Sequence, residues 1–106
     1  MATPTTIWGY VKADGTKQAG TGYSVQHDAT NAKGIYYIMF DPPFSDTPAV
    51  NVTIQCDNDD YHAGWWVNAL ILGLTNSEFE IVIVASDFKS KHESNFTFTA
   101  VGTTDA

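Results

Sequence analysis

Tyr61, His62, Trp65 and Trp66 crowd together directly after the polar run Asp57-Asn58-Asp59-Asp60. Rings beside short carboxylate and amide side chains suit sugar binding. The rings cover apolar C–H faces, and the short polar groups bond hydroxyls. Packing is the competing explanation, because a Trp at a strand start often fills a core or a subunit contact. Both readings stay open for Trp66, and packing is favoured for Trp65. The acidic run offers oxygens of the kind calcium takes, but it lacks the twelve-residue loop with its closing Glu. It reads as a solvated loop, and no metal is expected.

Other reactive side chains point away from catalysis. Cys56 is the sole cysteine, so no intrachain disulfide forms. His62 is nearby in sequence, but the acidic residues between them would raise a thiol pKa and disfavour the thiolate. His27, His62 and His92 lack ligand-like spacing, and His92 would reach a metal only if shared around a symmetry axis. No nucleophile elbow, zinc-binding His pair or phosphate loop is present. No enzyme activity and no cofactor are expected. The polar stretch Ser86-Asp87-Phe88-Lys89-Ser90-Lys91-His92-Glu93 is long enough to touch a neighbouring molecule, or to be an ordinary hairpin loop. Asn51-Val52-Thr53 and Asn95-Phe96-Thr97 match the glycosylation acceptor pattern but read as ordinary outward strand positions.

The charge balance narrows the partner. Twelve acidic residues face five lysines with no arginine, for a net charge of −7. Nucleic acid and anionic membranes both require clustered cations. Without arginine there is no bidentate clamp for phosphate or carboxylate. A neutral ligand fits best. The opening Met1-Ala2-Thr3-Pro4-Thr5-Thr6 does not resemble a signal peptide, and no apolar run has membrane-spanning length. The expected location is the cytoplasm or an extracellular or virion assembly.

These side chains must be held by strands. Hydrophobicity alternates with period two nearly throughout. Strands are expected over 6–12, 22–26, 35–40, 48–55, 66–72, 79–85 and 94–101, with a turn at Asp14-Gly15. This spacing predicts one small antiparallel β-sandwich of six to seven strands over 1–106, with flexible ends at 1–5 and 103–106. Two strands are apolar on both faces. Val67, Ala69 and Ile71 alternate with Leu70 and Leu72, and Phe79, Ile81 and Ile83 alternate with Val82 and Val84. A sandwich this small normally wets its outer faces, so another subunit is the simplest cover.

The series Ile38-x-Phe40, Pro43-Phe44, Pro48-x-Val50-x-Val52-x-Ile54, Val67-x-Ala69-x-Ile71, Phe79 and Phe96-x-Phe98 resembles the H-type lectin domain. The likeness runs from about Ile35 to Gly102 and rests mainly on apolar structural positions. The opening segment, Gly9-x-Val11-x-x-Asp14-Gly15-Thr16 and Gly20-x-Gly22-Tyr23-Ser24-Val25, is more similar to modules associated with bacterial and phage tails. The resemblance implies a six-stranded sandwich assembled as a trimer or hexamer. It also implies sites for galactose or N-acetylgalactosamine type sugars at subunit borders. The family's acidic sugar contact falls on Asp28, its arginine on Trp66 and its histidine on Asp87, so two of the three contacts differ in type. The family's cysteines are absent.

The expectation is a non-catalytic, oligomeric lectin for neutral or amino-sugar glycans. Asp28, Trp66 and Asp87 would form the site, with Tyr61, His62 and His92 supporting it. The alternative is a structural trimerisation or receptor-binding module of a phage or bacterial fibre.

Overall fold

The computed structural model describes residues 2–27, 34–55, 67–85 and 94–105. Within them are eight strands: β1 (Ala2–Val11), β2 (Lys17–Gly20), β3 (Tyr23–His27), β4 (Ile35–Phe40), β5 (Ala49–Gln55), β6 (Val67–Leu72), β7 (Glu78–Ala85) and β8 (Asn95–Asp105). They form two four-stranded sheets, ordered β2-β1-β8-β5 and β3-β4-β7-β6, and all the strand pairings are antiparallel.

The strand beyond the expected six to seven is β2. Its sequence Lys-Gln-Ala-Gly has no apolar alternation, because it is an edge strand whose side chains are exposed or half-buried. The sequence reading leaves 1–5 and 103–106 as flexible ends. In the structure, Ala2 to Thr5 pairs residue by residue with Asp105 to Gly102.

Alternation sets the inner faces. Tyr36, Ile38 and Phe40 of β4, Phe79, Ile81 and Ile83 of β7, and Phe96, Phe98 and Ala100 of β8 are all buried in one cluster. Rings from the two sheets meet edge to face: Tyr23 on Phe98 at 4.9 Å, Tyr36 on Phe96 at 5.0 Å and Phe79 on Phe98 at 5.6 Å. Such ring pairs add to the burial of apolar area, the main source of stability here. Gly9 makes this close packing possible. A Cβ there would stand 2.5 Å from both Phe98 Cε1 and Tyr23 Cζ.

Phe44 closes one end of the core. It is buried between Phe40, 4.9 Å away, and a loop contact in which its N–H donates to the Asn76 carbonyl at 2.8 Å. Asn76 Nδ2 donates back to the Phe44 carbonyl at 3.0 Å.

The outward residues of the doubly apolar strands divide into two groups. Val82 and Val84 of the interior strand β7 are only 7% and 5% exposed. Leu70 and Leu72 of the edge strand β6 are 41% and 47% exposed.

Candidate functional site

The end of the molecule opposite Phe44 gathers the borders of three loop segments. β3 ends at His27 and β4 begins at Ile35. β5 ends at Gln55 and β6 begins at Val67. β7 ends at Ala85 and β8 begins at Asn95. Their registers place them side by side: His27 opposite Tyr36, Gln55 opposite Asn95, and Val67 opposite Ala85. The Tyr36–Phe96 contact joins the two sheets at this same end.

The β1–β2 turn is pinned here as well. The Tyr36 hydroxyl donates to the Ala13 carbonyl at 2.6 Å, and the Ala13 N–H donates to Asn95 Oδ1 at 2.7 Å. Both polar groups of one turn residue are therefore held, one by each sheet. Inside the turn, Gly15 N–H donates to the Lys12 carbonyl at 2.9 Å, and Thr16 N–H donates to Asp14 Oδ1 at 2.9 Å. Gly15 has φ +89°, which favours glycine, and a Cβ there would stand 2.6 Å from His27 Cβ. The hydrogen bonds from Thr16 hold the Asp14 carboxyl below its ordinary pKa.

His27 lies flat on Tyr36, with ring centroids 4.3 Å apart and planes 8° from parallel. Tyr36 in turn meets Phe96 edge on. A column of rings thus runs from the turn into the core. It fixes the strand ends that border 28–33 and 86–93.

The six site residues expected from sequence, Asp28, Tyr61, His62, Trp66, Asp87 and His92, lie outside the described residues. So do Cys56, the run Asp57-Asn58-Asp59-Asp60, and Trp65. The structure supplies the common end at which their bordering strands meet and the framework of Ala13, His27, Tyr36 and Asn95. Among the described residues, no three His, Cys, Asp or Glu side chains gather as a metal site would require.

The sequence reading passed over Trp8. It stands 55% exposed on the outer face of the β1–β8 sheet. Its signal was the alternation of 7–11, which sets Ile7 and Val11 on one side of the strand and Trp8 and Tyr10 on the other.

No family model, curated protein or solved structure matches this chain.

Proposed function

We propose that this protein is a non-catalytic lectin, working as an oligomer and binding neutral or amino-sugar glycans of galactose or N-acetylgalactosamine type. One observation supports the reading above the rest. The strand ends bordering 28–33, 56–66 and 86–93 meet at one end of the two sheets. These are the segments that contain Asp28, Trp66 and Asp87, which the H-type lectin resemblance assigns to sugar contact.

A shallow site of one ring and two carboxylates binds weakly. Several such sites on one rigid assembly raise avidity by roughly two to four orders of magnitude on a dense glycan surface. Ring stacking and direct hydrogen bonds suffice for neutral sugars, so the reading calls for no metal. The test is a glycan array probed with wild type and with Trp66→Ala. Binding by wild type that the mutant loses supports the site. An array on which wild type binds nothing sinks it.

The second reading is a structural trimerisation or receptor-binding module of a fibre. The open leucines of β6 favour it, because water-exposed aliphatic side chains on an edge strand are a ready contact for another copy. A stable trimer with no affinity on the array would select this reading over the first.

A further inference from the structure

We propose a second, independent ligand surface: the outer face of the sheet β2-β1-β8-β5 is a flat platform for an extended, neutral polysaccharide chain, with Trp8 and Tyr10 as its stacking rings.

The registers define the platform. Trp8 lies opposite Thr99, and Thr99 opposite Asn51. In the next row, Tyr10 lies opposite Thr97, and Thr97 opposite Thr53. Directly opposed residues in antiparallel strands share a face, and positions two apart along a strand are about 7 Å apart. Two rings therefore stand in line along β1. Beside them runs a field of short hydroxyl and amide side chains about 5 Å per strand across. Trp8, Thr99, Asn51 and Thr53 are all exposed.

Charge identifies the class of occupant. The chain carries a net charge of −7. Yet across the three rows from Thr6 to Tyr10, no position paired between β1, β8 and β5 is charged among the described residues. At the end of these rows the Lys12 ammonium stands 5.6 Å over the Tyr10 ring. Three paired rows without a charge, in an acidic protein, offer little to an ion and complement a neutral partner. Large rings suit the apolar C–H face of a pyranose, and the threonine and asparagine groups match its hydroxyls. The face is flat and crosses three strands, so it fits a chain of sugar units better than a single residue.

A second copy of this protein is a poorer occupant. Interface cores between copies are apolar, whereas most of this face is hydroxyl and amide. Among the described residues, Val101 is the one large exposed aliphatic side chain on this face, whereas Leu70 and Leu72 belong to the other sheet.

The test is retention of the full chain in native gels containing soluble neutral polysaccharides that carry no galactose or amino sugar (mixed-linkage β-glucan, glucomannan, arabinoxylan), with pull-down on cellulose. Wild type is retained by at least one of them, and retention persists at about 1 M NaCl, where charge contacts are screened. Trp8→Ala weakens retention roughly tenfold, while its circular dichroism stays that of wild type. Thr99→Lys keeps both rings but plants a charged stem within the Trp8 row, and it also weakens retention. Gln26→Ala, an exposed change on β3 of the other sheet, leaves retention on these polymers unchanged. The proposal is overturned if no polymer retains wild type, or if Trp8→Ala is retained as strongly as wild type. It is equally overturned if Trp8→Ala splits an oligomer and leaves polymer retention untouched.

Discussion

The Tyr36 hydroxyl donates to the Ala13 carbonyl across 2.6 Å, tying the inner face of β4 to the turn that follows β1. The same tyrosine lies under His27 and against Phe96, so one side chain joins turn, strand end and core. Tyr36→Phe keeps the rings but orphans the carbonyl. It should cost about 1–2 kcal/mol in urea denaturation. Asn95→Ala, which leaves the half-buried Ala13 N–H without this acceptor, should cost about 1–3 kcal/mol. An effect of neither substitution would show that the turn is held by other contacts.

Gly9→Ala should destabilise by about 1–3 kcal/mol through overpacking. The added methyl meets Phe98 and Tyr23, two ring systems locked by the core, and neither can swing aside cheaply. Thermal unfolding at neutral pH measures this. A wild-type melting temperature would mean the sheets separate enough to admit it.

Tyr23 sets a pH dependence. Burial raises its phenol above the ordinary value, partly offset by a backbone hydrogen bond at Tyr10. The folded state therefore keeps the proton that the unfolded chain releases from about pH 10 upward. This contribution to stability is fully present below about pH 10 and declines as pH rises through the folded-state pKa. Urea midpoints across that window should fall in wild type and fall less steeply in Tyr23→Phe. Equal slopes would remove Tyr23 as the cause.

The exposed leucines of β6 make the proposed assembly testable. Sedimentation should give a mass several times the 11.6 kDa of one chain. Leu70→Lys with Leu72→Lys should shift that mass to the single chain while leaving circular dichroism unchanged, because both side chains point away from the core. A wild type that sediments as a single chain at high concentration counts against oligomeric sites.

Much of the fold was legible locally. Val50, Val52 and Ile54, or Tyr36, Ile38 and Phe40, declare their inner face by alternation, since side chains on a strand point to opposite sides in turn. β2 was not legible, because an edge strand with little to bury carries no such pattern. Of the site, the sequence singled out Asp28, Trp66 and Asp87, and the fold adds a shared end for the strands that border them. Sequence reading could place neither the Ala13–Tyr36–Asn95 tie nor the Trp8–Thr99–Asn51 row.

By itself, then, the sequence determined that the chain is all β and which face of most strands turns inward. Tertiary structure alone decided that β8 runs between β1 and β5, and with that which outward side chains become neighbours. The reason is physical. Alternation is a property of adjacent residues and is written in any short stretch. Pairing is a contest among strands far apart in the chain, settled only when the whole core closes.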